Sequence, residues 1–249
     1  MTDEQQTYII LGGTGSIGSA VVRQLAVAGA NLVVGARDFN KASQIAEEFQ
    51  GDAHQVEADD SASIEACVKA TLERHGKITG VANCIGSVLL KPAHMTSDEE
   101  WHHTITTNLT SSFSLVRAAT KAMRKTGGSI VLVSSAAAQI GLSNHEAIAA
   151  AKAGIIGLTL SAAATYSTRG IRVNAVAPGL VRSAMTRKLW ETDGAEAMSA
   201  QMHALGRLGA PEDVARAIVW LLDPCNSWVT GQTIGVDGGL GSVLTRMKM

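Results

Sequence analysis

Strand-like and helix-like segments alternate along the whole of this chain, and that alternation narrows its architecture more than any other feature. Short apolar runs at residues 8–11, 31–36, 54–57, 80–83, 129–134, 172–177 and 232–236 read as strands. Between them lie segments of helical periodicity at 17–28, 40–49, 61–75, 107–125, 147–164 and 211–222. Strands separated by helices of this length cannot pair as hairpins. They form a parallel, doubly wound sheet covered by helices on both faces. Local signals set some ends: Asn40 as a cap, Ser143 with Glu146 as a capping box, Pro211 at a first helical position. In 107–125, residues Leu109, Phe113, Val116 and Ala119 are expected to face inward. No repeat or linker breaks the 249 residues, which read as one domain. The one long irregular stretch, about 180–209, carries Met185, Leu189, Trp190, Met198 and Met202 and suits an apolar flap over a ligand.

Two features point to chemistry. The first is Gly12-Gly13-Thr14-Gly15-Ser16-Ile17-Gly18, between the first strand and the first helix. Gly13, Gly15 and Gly18 have the G-x-G-x-x-G spacing, which lets backbone approach a pyrophosphate at a helix N-terminus. Its place between strand and helix is what makes so short a motif informative. The second strand ends Gly35-Ala36-Arg37-Asp38. Arg37 in place of an acid at the strand tip favours the 2′-phosphate of NADP, and Asp38 keeps NAD open as the lesser alternative.

The second feature is Lys152, the single charge in the stretch 147–164. Its helical neighbours Ile148, Ala149, Ile155 and Ile156 are apolar. A helix apolar all round is buried, and a buried ammonium needs a polar partner or must snorkel to water.

Composition excludes several classes. Net charge is −1, so no nucleic-acid surface is expected. No apolar run reaches a membrane span without a charge interrupting it, and the first residues, acidic and polar, are unlike a signal or transit peptide. The histidines fit no zinc spacing, so no metal is expected. Cys67, Cys84 and Cys225 read as buried thiols in a reducing cytosol, which makes the expected location cytoplasmic.

With these pieces in hand the chain resembles the short-chain dehydrogenase/reductase family over nearly its whole length. Gly12, Gly15 and Gly18 look like its nucleotide loop, with Ser16 where many members have glycine. Asp59 matches the acid near the adenine. Asn83-Cys84-Ile85-Gly86 resembles the family's Asn-Asn-Ala-Gly. Asn108, Ser135 and Lys152 match three of its four catalytic residues, and Pro178, Gly179, Val181 and Ser183 its nicotinamide segment. Val236-Asp237-Gly238-Gly239 matches a C-terminal signature. The resemblance implies a seven-stranded Rossmann-like domain, NADP (with NAD less favoured), a small-molecule substrate and a homotetramer. It also implies that Lys152 meets the ribose hydroxyls, Ser135 polarises a carbonyl and Asn108 positions a water. The fourth residue is missing: the family's tyrosine, four residues before the lysine, is Ile148 here. Three readings of the proton donor stay open. It is His145, on the same helical face as Ile148 and Lys152; or a water held by Ser135 and Asn108; or none, with His145 a mere rim residue and the chain a nucleotide-binding sensor or partner subunit.

Overall fold

A computed structural model of the protein describes residues 5–192 and 194–244. Seven strands, β1 (Thr7–Leu11), β2 (Asn31–Ala36), β3 (Asp52–Gln55), β4 (Gly80–Asn83), β5 (Gly128–Val133), β6 (Ile171–Pro178) and β7 (Thr233–Val236), form one sheet. Their order is β3-β2-β1-β4-β5-β6-β7, and every neighbouring pair is parallel. The chain therefore forms a single Rossmann-like sheet that switches direction between β1 and β4. Ligands of such sheets bind at the carboxyl ends of the strands beside that switch.

The helices are α1 (Ser16–Val27), α2 (Phe39–Glu48), α3 (Ser61–His75), α4 (Asp98–Ile105), α5 (Ser111–Ala122), α6 (Glu146–Tyr166), α7 (Ala195–Gln201) and α8 (Pro211–Leu222). Alternation along each strand splits its side chains between two cores. Ile9, Leu11, Ile130 and Leu132 pack with Ile64 of α3, Leu115 of α5 and Ile155 of α6. Tyr8, Ile10 and Val131 pack with Val21 of α1, Ala42 of α2 and Ile218 of α8. Both faces are covered, which is why the central strands read as unbroken apolar runs.

Five local expectations need correction. Asp38, not Asn40, caps α2: its carboxylate accepts the Lys41 N–H at 3.1 Å. Strand β3 lies two residues earlier than expected, because pairing of Asp52 with Val33 sets the register of a strand too polar to announce itself. Helix α6 starts at Glu146 with His145 as its cap residue, and Ser143 caps nothing. The expected helix 107–125 is α5 preceded by a π turn at Thr106–Thr110 and by α4, which a Ser97/Glu100 capping box opens. Val116 and Ala119 point inward as expected, but Phe113 is half-exposed under the Arg117 guanidinium, 5.7 Å from its ring centre. The cysteines also differ from expectation: Cys67 is buried, Cys84 partly so, and Cys225 is exposed.

Helix α6 is not apolar-buried all round. Its inner face packs on β5 and β6, whereas Leu160 lies outward and 55% exposed. The segment Glu146–Arg169 is long and apolar enough to cross a membrane by length and composition alone, and here that apolarity serves the sheet contact.

Candidate active site

A cavity of about 650 Å³ opens at the carboxyl ends of the strands, beside the switch between β1 and β4. One end is the glycine loop. Gly12 has φ +71, and its N–H and that of Gly13 donate to the Gly35 carbonyl, at 2.8 and 3.2 Å. A Cβ on Gly12 would stand 2.7 Å from the Cys84 carbonyl carbon, and one on Gly18 only 2.3 Å from the Gly12 oxygen. Backbone and helix thus touch where any side chain would hold them apart. Gly15 is the cap residue of α1 and no side chain caps that helix. The amides of its first turn are left for a ligand, and Gly15, Ser16, Ile17 and Gly18 line the cavity.

Lys152 lines the cavity and is 7% exposed. Its Nζ donates to the Val133 carbonyl at 2.8 Å, which is the only protein partner it has among the described residues. Two N–H groups are therefore left over. Burial pushes its pKa from 10.5 down to about 8, opposed by the neighbouring Cys84. Burial pushes the Cys84 thiol up to about 12. The Ser134 hydroxyl donates to the Lys152 carbonyl at 2.8 Å and ties the helix to the end of β5. Ser135 lines the cavity, and its Oγ accepts the Ala137 N–H at 3.1 Å, which leaves the hydroxyl hydrogen free to donate.

Asn108 is wholly buried in the π turn. Its Nδ2 donates to the Ser87 hydroxyl (3.0 Å) and the Thr104 carbonyl (2.9 Å), and its Oδ1 accepts the Ser87 N–H (3.2 Å). The amide is fully used in bracing the Gly86–Ser87 backbone, which lines the cavity. Asn83 is a brace too. It donates to the hydroxyls of Ser111 and Ser112 and accepts the Ile85 N–H, and it does not itself line the cavity.

Ile148 is 3% exposed and forms cavity wall one helical turn from Lys152. His145 lines the rim, with Nδ1 2.7 Å from the Ser143 carbonyl. A carbonyl can only accept, so Nδ1 carries hydrogen and Nε2 is the nitrogen left for a ligand.

The far wall is apolar. Pro178, Gly179, Val181 and Ser183 line it, followed by Met185, Leu189 and Met202 of the irregular segment. Within that segment lie a short 3₁₀ turn, Arg187–Leu189, and α7. Trp190 and Met198 do not reach the cavity: the indole N–H of Trp190 donates to Thr186 Oγ1 at 3.3 Å, and Met198 is 72% exposed.

The structure thus brings together Gly15, Ser16, Ile17, Gly18, Gly86, Ser135, His145, Lys152, Pro178, Gly179, Val181 and Ser183. Gly12, Gly13 and Thr14 form the loop behind them. Arg37 is exposed just beyond β2 and makes no ion pair among the described residues, whereas Asp38 is occupied as a helix cap. Asp59 is exposed in the turn before α3, where Asp60 does the capping. Sequence reasoning missed Cys84 and His203 as cavity residues. Cys84 was legible as the residue after Asn83; His203 had no local signal. No cluster of metal-ligating side chains occurs among the described residues.

Residues 12–241 match the family model described as enoyl-(acyl carrier protein) reductase. Among curated proteins, the chain is 34% identical to the 3-oxoacyl-(acyl-carrier-protein) reductase FabG of Escherichia coli K12, over 96% of this chain and 99% of that one. It is likewise 34% identical to its counterpart in Chlamydia pneumoniae, over 93% and 95%. Among solved structures, a short-chain type dehydrogenase/reductase from Mycobacterium ulcerans superposes with TM-score 0.91 at 28% identity, covering 97% of this chain and 91% of that one. ElxO with NADP bound superposes with TM-score 0.90 at 26% identity, covering 96% and 100%. The sheet order, the glycine loop, the lysine lining the cavity and these likenesses agree: the chain belongs to the short-chain dehydrogenase/reductase family.

Proposed function

We propose that this protein is an NADP-dependent oxidoreductase that moves hydride between the nicotinamide and a carbonyl or conjugated C=C substrate through an Asn-Ser-Lys site without a tyrosine. The observation that carries the reading is Lys152: an ammonium 7% exposed, with one protein acceptor among the described residues, facing a cavity that an uncapped helix N-terminus also lines. Such a cation is costly unless oxygen atoms of a bound group meet its spare hydrogens, and the close glycine packing makes a cradle that fits a pyrophosphate.

Gly12 to Gly18 would hold the pyrophosphate, Lys152 the ribose hydroxyls, and Pro178, Gly179, Val181 and Ser183 the nicotinamide end. Arg37, which makes no ion pair among the described residues, suits a 2′-phosphate. Asp59 and Asn83 belong to this cofactor set as the adenine-side acid and a loop brace. The bound nucleotide supplies the hydride. The chain itself contributes a Ser135 hydroxyl positioned to donate to a carbonyl oxygen, and Asn108 fixes the loop opposite it. Proton delivery falls to the His145 imidazolium, which gives up its Nε2 hydrogen and is left as the neutral Nδ1–H ring, since Ile148 offers none. An enone or enoyl substrate needs less from that donor, because charge spreads to a remote oxygen. The acyl-carrier-protein relatives make 3-oxoacyl and enoyl thioesters the first substrates to try.

Ile148 favours a second reading, a nucleotide-binding member that does not turn over. Both readings meet in one experiment. NADPH oxidation is followed with ketones, quinones, enones and acyl thioesters, for the wild type, Ser135→Ala and His145→Ala. Turnover that collapses in Ser135→Ala removes the second reading. Binding without turnover on every substrate removes the first. Loss of about 10²-fold with an altered pH–rate profile in His145→Ala supports the histidine, and an unchanged profile eliminates it. We further propose a cytoplasmic homotetramer, supported by the outward apolar groups Phe113 of α5 and Leu160 of α6; light scattering at monomer mass would refute it.

A further inference from the structure

We infer that His203 is a positioning residue that clamps the segment over the cavity to the nicotinamide-side loop, and that it does so as a neutral ring with both nitrogens engaged. The ring is 4% exposed and lines the cavity. Its Nδ1 lies 2.7 Å from the Ser199 carbonyl on α7. Its Nε2 lies 3.1 Å from the Leu180 backbone nitrogen, which is the donor there. A carbonyl can only accept and an amide N–H can only donate. These two partners therefore select one state, with hydrogen on Nδ1 and a lone pair on Nε2.

The position of this bridge gives it consequence. Leu180 follows directly on Pro178-Gly179 at the end of β6, where the chain leaves the sheet. The segment returns at Gly209, whose N–H donates to the Leu180 carbonyl at 2.9 Å while Arg182 N–H donates to the Gly209 carbonyl at 2.9 Å. That neck pins only the two ends. Between them, α7 is held by the exposed Arg182–Glu196 ion pair and by His203, and the turn after it by the Leu205 N–H, which donates to the Gly238 carbonyl at 3.0 Å. An exposed pair contributes little, so the buried ring is the stronger tie. It also shapes the backbone beneath it: a Cβ on Gly179 would come within 2.7 Å of Nε2. One side chain thus sets both the height of α7 above the cavity and the path of Gly179–Leu180 along its wall.

The inference deepens the proposed function, since Gly179 to Ser183 is the segment assigned to the nicotinamide end. Its test needs no turnover and so fails independently. Arg187 and Lys188, both exposed, offer trypsin sites inside the clamped segment. Limited proteolysis with the cuts mapped by mass compares the wild type, His203→Val and His203→Gln. A glutamine keeps an acceptor within reach of the Leu180 N–H; valine keeps none. Cleavage after Arg187 and Lys188 should rise about tenfold in His203→Val and return to within about twofold in His203→Gln. If valine does not fold, His203→Asn, which reaches Ser199 but not Leu180, takes its place in the comparison. Wild-type cleavage in the valine or asparagine variant overturns the clamp. So does equally fast cleavage in the glutamine variant, or an equal rise at sites outside the segment such as Lys41.

Discussion

Lys152→Met isolates the cost of keeping an ammonium inside this fold. In the folded protein the lysine pKa lies near 8, against 10.5 for an exposed lysine, chiefly because burial strips water from the charge. That depression corresponds to about 3 kcal/mol. Below pH 8 both folded and unfolded chains hold the proton, and the full cost is present. Between pH 8 and 10.5 the unfolded chain holds it and the folded chain does not, so stability rises with pH through that window. Methionine carries no charge and shows no such rise. It also leaves the Val133 carbonyl without its donor, a loss of about 1–3 kcal/mol that is the same at every pH. The difference in stability between wild type and variant should therefore shift by about 3 kcal/mol between pH 7 and 10.5, roughly 6–12 °C in Tm for a chain of this size. Titrating groups away from Lys152, Tyr8 among them with its pKa pushed up to about 12, cancel in the difference; the Cys84 thiol beside it does not, so both proteins carry Cys84→Ala. The assay is thermal or urea denaturation of both proteins, without nucleotide, across that range. A difference that stays constant with pH would show that the ammonium is solvated, and the case for a waiting sugar partner would go with it.

Ile148→Tyr places a phenol on the cavity wall one turn from Lys152 and should raise ketone reduction by about 10²–10⁴-fold; a folded, NADPH-binding variant with no gain would show that no carbonyl reaches that wall. Arg37→Ala should weaken NADPH binding by about tenfold and leave NADH binding unchanged, measured by fluorescence titration; equal loss for both nucleotides would refute a 2′-phosphate contact. Gly18→Ala sets a methyl 2.3 Å from the Gly12 oxygen, so nucleotide affinity should fall at least about tenfold by calorimetry; unaltered affinity would dissociate the loop from the cofactor.

The site was legible where chemistry is local to a few residues. A glycine run between strand and helix, and one charge in an apolar helix, each carry their meaning in sequence order. Ile148 was legible in the same way, by its distance from Lys152. Asn108 was legible only through the family likeness, and its mode of action was not. Its amide is spent on Ser87 and Thr104, residues brought to it by a π turn that no propensity announces. Phe113 lies outward although Val116 and Ala119 of the same expected face pack inward. Asp38 and not Asn40 takes the cap of α2, by accepting the Lys41 N–H.

Residue order alone accounts for the class of fold, because period-two and period-3.6 apolar patterns cannot be exchanged and their alternation leaves only a parallel, two-sided sheet. It accounts equally for the glycine loop, since only residues lacking Cβ allow that approach. Tertiary structure decided the rest. That Lys152 has one carbonyl partner, Val133, among the described residues, and that His203 reaches back to the Leu180 N–H, are facts about groups distant in sequence. Hydrogen-bond partners at such separations depend on how strands register and helices dock, and no window along the chain encodes that.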